Sequence, residues 1–268
     1  MRVSASYAQK GLFCDAIRLF ETMTTVMRKI VHPTICAWIA FCALAEPHRS
    51  EAADNWGGSV GLTSDYLVRG VSRSDHDPAL QADLHVNTSD GWLAGIFTSS
   101  VRIVPGGSRD AEVGLFGGFA WNWNADWRSK AMLTHYRYPW NNSGSAYNYN
   151  ELSIDTSFQE WLSISAVYSP DASRYVPYYG LLSVNTKSAE VNLTAPAWHK
   201  LTMNAGIGYS HYEGPESGGY TYWSVGCTYD WAPVTLSVAF VDTSAAAQDL
   251  FYDNAAQHRL LAAVVWRF

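Results

Sequence analysis

Apolar and polar residues alternate one by one along much of the chain after residue 53. In the segment 79–87 every second residue is apolar and the residues between are polar, and the segments 151–158 and 201–211 repeat this pattern. Successive side chains of a β-strand point to opposite faces of the sheet, so each segment predicts a strand with one apolar and one polar face. No segment after residue 53 has the spacing of apolar positions that would predict an amphipathic helix.

The alternating segments recur about twelve times. They begin near residues 56, 79, 92, 112, 126, 149, 161, 188, 201, 220, 234 and 256. Short connections at 89–91, 124–125, 159–160 and 232–233 alternate with long polar ones at 72–78, 105–110, 139–148, 169–187, 213–219 and 243–255. The connection at 195–200 is intermediate in length and lies on the short-turn side. Short turns at one end and long loops at the other are typical of outer-membrane barrels. For the third, fifth and seventh segments, either face could point outward.

The predicted fold class is therefore all-β: a transmembrane antiparallel up-and-down β-barrel of about 12 strands. Backbone groups in hydrocarbon must be hydrogen-bonded internally, which a closed barrel achieves. Tryptophans cluster at segment ends, as in the aromatic girdles of such barrels: Trp56, Trp92, Trp121, Trp123, Trp127, Trp161, Trp231 and Trp266. The alternative is a soluble β-sandwich, although that fold rarely combines so many terminal tryptophans with so little charge.

The final alternating segment carries a second signal. One of its faces bears five apolar residues: Leu260, Ala262, Val264, Trp266 and Phe268. A C-terminal aromatic residue on an alternating last strand resembles the signal that the outer-membrane assembly machinery reads. We therefore expect this machinery and outer-membrane lipid as partners.

Composition narrows the function classes. Charged residues make up 16% of the chain, against about 25% in soluble domains. The formal net charge is -6, and a nucleic-acid-binding protein needs clustered basic residues, so that class is disfavoured. The chain has 12 Trp, 16 Tyr and 10 Phe, which excludes intrinsic disorder.

Residues 1–52 predict a signal peptide, and residues 53–268 predict the barrel. Arg28 and Lys29 precede an apolar stretch at 34–45 that is shorter than the roughly 20 residues of a spanning helix. Translation is expected to begin at Met27 or Met23; the alternative is an N-terminal membrane anchor. Removing the leader leaves 20 acidic and 12 basic residues, a net charge of -8, which favours cations. It also leaves Cys227 as the one remaining cysteine, so we expect no disulfide and no cysteine metal site. No His or carboxylate cluster has metal-ligand spacing, and we expect no metal and no cofactor.

A motif in the first part of the predicted barrel resembles the start of the TorF family, a proteobacterial outer-membrane family of porins. The matching positions are Ser64, Asp65, Tyr66, Arg69, Gly70, Ser72, Ser74, Asp75, Asp77, Pro78, Ala79 and Gln81. The resemblance implies a barrel with a pore. The chain departs from the family pattern at Arg73, where an uncharged side chain is more usual.

The pattern at 60–69 predicts that the first strand continues along the wall. It places four residues against lipid: Val60, Leu62, Tyr66 and Val68. Asp65 and Arg69 would then face inward about 13 Å apart along the strand, so each would need a cross-strand partner or water. The following turn carries Asp75, Asp77 and Pro78, whose carboxylates are expected to be solvated; the alternative is a calcium site.

The polar faces predict a charged barrel interior. It would receive Asp65, Arg69, Gln81, Asp83, His85, Glu112, Arg128, Lys130, Glu151, Asp155, Glu190, Arg259 and Arg267. Eight strands leave room for side chains alone and 16–18 leave an aqueous channel, so twelve strands indicate a narrow pore for small polar or ionic solutes. Asp65, Arg69 and Asp83 could instead merely brace the wall.

Two other functions stay open, although we expect no enzymatic activity. A barrel enzyme acting on lipids would need a serine beside His135 or His211, and no motif pairs them. A closed structural or adhesion barrel would bind partners through its loops, and its lumen would be blocked by side chains.

Overall fold

The computed structural model describes residues 55–103, 107–140, 144–176, 179–215, 217–251 and 255–268. Twelve strands in these ranges form a closed barrel: β1 (Asn55–Thr63), β4 (Ala79–Asn87), β5 (Trp92–Val101), β6 (Asp110–Asn122), β7 (Trp127–Arg137), β8 (Tyr149–Phe158), β9 (Leu162–Val176), β10 (Gly180–Trp198), β11 (Leu201–Tyr212), β12 (Gly218–Trp231), β13 (Val234–Thr243) and β14 (Arg259–Arg267). Two short strands, β2 (Leu67–Val68) and β3 (Val71–Ser72), pair with each other outside this sheet. The predicted leader lies outside the described residues.

Each barrel strand is antiparallel to its neighbours, and the barrel strands follow chain order around the wall. The first and last strands close the sheet, with Val60 opposite Trp266 and Leu62 opposite Val264. Closure removes the free strand edges that would otherwise leave backbone donors and acceptors unpaired. The predicted 12-strand up-and-down barrel is confirmed.

The register separates two faces. Large apolar side chains are exposed on the outside, as in the row formed by Leu84, Ile96 and Leu115 on adjacent strands. The same parity places Leu133 of β7 and Ile164 of β9 outside, which settles the strands whose outward face the pattern left open. The buried residues lie inside, so the molecule has the inverted distribution expected of a barrel in lipid.

Aromatic residues surround the end of the barrel that carries the short turns and the start of β1. Trp92 contacts Phe119 at 5.1 Å between ring centroids, and Trp127 contacts Phe158 at 4.8 Å. Trp56 and Trp231 are exposed at the same end. These rings form one girdle of the predicted kind.

The structure differs from the prediction at 169–187, where a long loop was expected. Strands β9 and β10 extend through this segment and pair with each other, with Leu182 opposite Arg174, so a short connection at 177–179 joins them. The backbone ladder pairs the N–H and C=O groups of this segment, so the segment forms strands although its side chains are polar.

Two short helical segments also occur where the pattern predicts none. Residues Gly144–Tyr147 form a 3-10 turn, and Ala245–Leu250 form the helix α1. Ala247 of α1 is buried against inward-facing residues of β12, so the helix covers part of the barrel mouth at the long-loop end. No helix in the described ranges is long and apolar enough to cross a membrane.

Candidate functional site

Residues 64–78 turn into the barrel and form a hairpin within it, called here the lumen hairpin. The wall strand β1 ends at Thr63. Beyond it, Leu67 packs on Ala239, Val241 and Leu261, which line the inner face of β13 and β14. The prediction that Tyr66 and Val68 face lipid is therefore wrong. Their apolar character does not distinguish a lipid-facing position from one inside the barrel, because the interior around the hairpin is itself packed protein.

The tip of the lumen hairpin is a tight turn pressed against the wall. Arg69 and Gly70 both have positive φ values, 52° and 79°, as in a type I′ two-residue turn. A Cβ atom on Gly70 would lie 2.7 Å from Thr243 Cγ2 and 3.0 Å from Tyr222 Cβ. The Tyr220 hydroxyl donates to the Arg69 carbonyl at 3.1 Å. This glycine therefore serves both the turn and the close approach to β12 and β13.

Asp65 fixes the base of the hairpin. Its carboxylate accepts hydrogen bonds from Ser72 Oγ at 2.7 Å and Ser74 Oγ at 2.8 Å, and it forms an ion pair with Arg259 of β14. The Asp65 side chain is 6% exposed and that of Arg259 is 12% exposed. The structure thus supplies the partner that Asp65 was expected to need, although Asp65 lies beyond the end of a strand.

Arg69 fixes the tip to a different part of the wall. Its Nη2 lies 2.6 Å from Glu151 Oε2 of β8. Burial alone would lower the pKa of Arg69, but the charge and hydrogen bond of Glu151 outweigh it and raise the pKa. In the strand order around the barrel, β8 lies opposite β14. The lumen hairpin therefore bridges two opposing walls, and the predicted 13 Å separation along one strand is wrong.

A third anchor joins the hairpin to β6. Glu112 is fully buried and accepts hydrogen bonds from Tyr66 Oη at 2.7 Å and Tyr138 Oη at 2.5 Å. Burial, followed by the charge of Glu112, raises the pKa of Tyr66 well above its usual value. The phenol therefore stays protonated and remains a donor at physiological pH.

The acidic turn of the hairpin contacts arginines. Arg102 lies 3.3 Å from Asp75 Oδ2 and 2.8 Å from Asp77 Oδ2, and Arg109 lies 3.3 Å from the same oxygen of Asp77. Within the described residues, no group of three His, Cys, Asp or Glu side chains could hold a metal ion. The carboxylates are paired with guanidinium groups rather than simply solvated.

A family model, described as "Bacterial protein of unknown function (Gcw_chp)", matches residues 49–267. The chain belongs to this family. Among curated proteins, none matches it.

Solved structures share the fold of this Gcw_chp barrel at low sequence identity. The COG4313 outer membrane channel from Pseudomonas putida F1 aligns with a TM-score of 0.53 and 11% identity, over 85% of this chain and 100% of that one. A NanC porin aligns with a TM-score of 0.51 and 10% identity, over 79% and 98% of the two chains. The shared feature is the barrel fold.

The structure places the other residues predicted for the lumen on the inward face of the Gcw_chp barrel. These are Gln81, Asp83, His85, Glu112, Arg128, Lys130, Glu151, Asp155, Glu190, Arg259 and Arg267. Several of them interact: His85 Nδ1 lies 2.7 Å from Asp83 Oδ1, and Lys130 Nζ lies 3.8 Å from Asp155 Oδ2. Their role in lining a pore stays a prediction.

Solvent exposure varies along this inner face. Around the lumen hairpin, Glu112 is fully buried, whereas Lys130 and Asp155, towards the short-turn end, are 28% and 40% exposed. The hairpin therefore fills part of the lumen at the long-loop end, and Lys130 and Asp155 lie in a wetter part of the inner face.

Sequence reasoning missed the tyrosines that surround the hairpin. Tyr138 and Tyr149 pack with Val101, and Tyr212, Tyr220 and Tyr222 pack in a second buried cluster. Most of these tyrosines have the inward parity of their strands, a signal that was available in the sequence. Tyrosine is common on both faces of such barrels, so its parity alone does not mark a site.

The two histidines considered for lipid hydrolysis lie on the outward face. His135 Nδ1 lies 2.9 Å from Asn150 Oδ1, and Asn150 Nδ2 donates to Asp171 at 2.6 Å. His211 lies opposite Lys187 in the register, on the same outward side. Within the described part of the chain, the ring of His135 has no hydroxyl among its hydrogen-bond partners.

Proposed function

We propose that this Gcw_chp protein is an outer-membrane channel through which small polar or ionic solutes diffuse passively. The observation that carries the proposal is the inverted face pattern: exposed apolar side chains outside a closed barrel and charged side chains inside. A water-filled or water-lined interior needs such polar groups, and a lipid-facing exterior needs the apolar ones. The fold shared with the COG4313 channel and the NanC porin is consistent with this use.

The proposed location follows from the same surface. The outward apolar band and the aromatic girdle fit an outer-membrane bilayer, with the short turns on the periplasmic side. We also propose that the assembly machinery recognises the last strand through its outward residues and the terminal Phe268. In the structure, Leu260, Trp266 and Phe268 are exposed on the outside of the barrel.

The lumen hairpin supports a narrow passage and a finer family assignment. The TorF-like positions lie within the hairpin or directly after it: Ser64, Asp65, Tyr66, Arg69, Gly70, Ser72, Ser74, Asp75, Asp77, Pro78, Ala79 and Gln81. The motif thus coincides with the segment that crosses the interior. We propose that the chain is a porin of the TorF type and that the motif encodes its constriction.

Planar-bilayer recording of the purified, folded protein tests the channel. We expect small, stable conductance steps, because the hairpin leaves less room than an empty 12-strand barrel would. Protein folded in the same detergent but heat-denatured before addition is the control. Absence of steps above the control would refute the channel.

The anchored hairpin specifically favours one second candidate, a closed barrel that acts as a structural or adhesion protein. Its three anchors to β6, β8 and β14 place Tyr, Arg and Glu side chains across the interior. Swelling of liposomes that contain the protein separates the two candidates. A channel admits small sugars, whereas a closed barrel excludes both sugars and ions. We propose no enzymatic role.

A further inference from the structure

One arginine of the lumen hairpin differs from the others around it. Arg69 is paired with Glu151, Arg259 with Asp65, and Arg102 with two hairpin carboxylates. Among the described residues, no carboxylate oxygen lies within 4.0 Å of the Arg73 guanidinium. A cation held inside the barrel without an ion-pair partner has hydrogen-bond donors to offer a solute.

The backbone on both sides of this side chain is fixed. Arg73 N donates to the Tyr66 carbonyl at 2.7 Å, and Arg102 N donates to the Arg73 carbonyl at 2.8 Å. The hairpin and the connection after β5 thus hold the residue from two directions. The Arg73 side chain is half-buried, so its position in the lumen does not depend on a flexible loop.

Three phenol groups influence the guanidinium electrostatically. Tyr138, Tyr149 and Tyr212 lie close enough to interact electrostatically with it. Tyr149 stacks on Tyr136 with 4.6 Å between ring centroids, and Arg174 lies 5.7 Å above the ring of Tyr212. The surroundings therefore offer hydroxyl groups and ring faces.

The acidic side chain Glu112 interacts electrostatically with Arg73 and is already engaged. Both carboxylate oxygens of Glu112 accept hydrogen bonds from tyrosine hydroxyls. Glu112 therefore offsets part of the positive field without occupying the donors of Arg73. Guanidinium is charged at every physiological pH, and its planar N–H groups match the two oxygens of a carboxylate.

We propose that Arg73 binds the carboxylate of permeating solutes and makes the constriction selective for small organic anions. This inference rests on the proposed channel function and adds its solute class. Selectivity in a narrow passage is set by the charges that line it, because low-dielectric walls concentrate their field there. The net charge of -8 without the leader, which favours cations, is spread over the whole barrel. Arg73 departs from the TorF motif that this segment resembles, so the proposed preference is a property of this chain.

Reversal potentials in a tenfold potassium chloride gradient test the inference. We expect the wild-type channel to pass chloride faster than potassium and the R73Q variant to lose this preference severalfold. Millimolar sodium glucuronate should interrupt the wild-type current, and the same concentration of glucose should not. R73K keeps the charge but not the fork of donors, so it should retain anion preference and lose most of the block by glucuronate.

Arg137 provides the matched control. It is an exposed arginine on the outward face of β7, so R137Q makes the same charge change outside the lumen and should leave both readouts unchanged. A cation-selective wild type, or R73Q with wild-type selectivity and block, would overturn the role of Arg73 while leaving the channel in place. Absence of conductance in every variant would overturn the channel and this inference together.

Discussion

Replacing Asp65 by Asn should release the lumen hairpin without opening the barrel. The change removes the charge that faces Arg259, and Arg259 is only 12% exposed. Removing one partner of a buried ion pair costs about 3–5 kcal/mol, because the other charge is left uncompensated. The Asn oxygen can still accept from Ser72 or Ser74, so the lower end of the range applies.

A loss of about 3 kcal/mol raises the ratio of undocked to docked hairpin about 150-fold, since each 1.4 kcal/mol is a factor of ten. The barrel itself is held by a closed backbone ladder that does not include this pair. We therefore expect D65N to stay folded, to show larger or more frequent conductance steps, and to exchange amide hydrogens faster in residues 64–78.

Single-channel recording and hydrogen exchange measure these two effects. D90N makes the same change at an exposed turn of the short-turn end and should behave as wild type in both. The double variant D65N/R259Q removes the unpaired charge and should be less open than D65N alone. If D65N and wild type agree in both conductance and exchange, the ion pair does not hold the hairpin, and the reasoning fails.

Three other changes test the wall, the turn and the last strand. Ile154 is exposed on the outside near the middle of β8, so I154R should lower the free energy of folding into vesicles by about 2–4 kcal/mol, measured by urea titration. The comparison is S157R, which points inward near the end of β8. An equal loss in S157R would contradict the lipid-facing assignment of Ile154. G70V adds a side chain where φ is 79° and where a Cβ would meet Thr243, so it should displace the hairpin tip and increase conductance. G180V is the control for backbone strain, because Gly180 has a φ of 77° but no atom within 4 Å of an added Cβ. Unchanged conductance in G70V would count against the contact with Thr243. Deletion of Phe268 should reduce the amount of folded, heat-modifiable barrel in the outer membrane, whereas a Phe268→Tyr variant should assemble normally; full assembly of the truncated chain would contradict the proposed signal.

The barrel could be predicted from the sequence because lipid imposes a simple rule on every wall strand. Residues such as Leu84 and Ile96 must be apolar, and those between them face the interior, so the period of two marks each strand. The rule fails at Tyr66 and Val68, because a hairpin packed inside the barrel also has apolar residues in alternation. The Arg69–Gly70 pair between Val68 and Val71 was the available sign of a tight turn.

The candidate site could be predicted as a set of residues but not as a set of contacts. Alternation places Asp65, Glu112 and Glu151 on the polar face of their segments, which is the face predicted to point into the barrel. It does not reveal that Arg69 meets Glu151 82 residues later, or that Asp65 meets Arg259 194 residues later. Those contacts depend on how the sheet closes and on where the hairpin enters the barrel. The sequence marks Arg73 as a departure from the TorF motif, but its lack of a carboxylate partner is visible only in three dimensions.

The position of the Asp65–Arg259 pair has a consequence for the order of assembly. Asp65 follows the first strand and Arg259 begins the last one, so the pair sits across the seam where the cylinder is sealed. A nascent barrel that has not yet joined its two terminal strands cannot complete this link. Pairing of the terminal strands and constriction of the passage are therefore coupled. A molecule with unpaired terminal strands would have a wider passage than the fully assembled one.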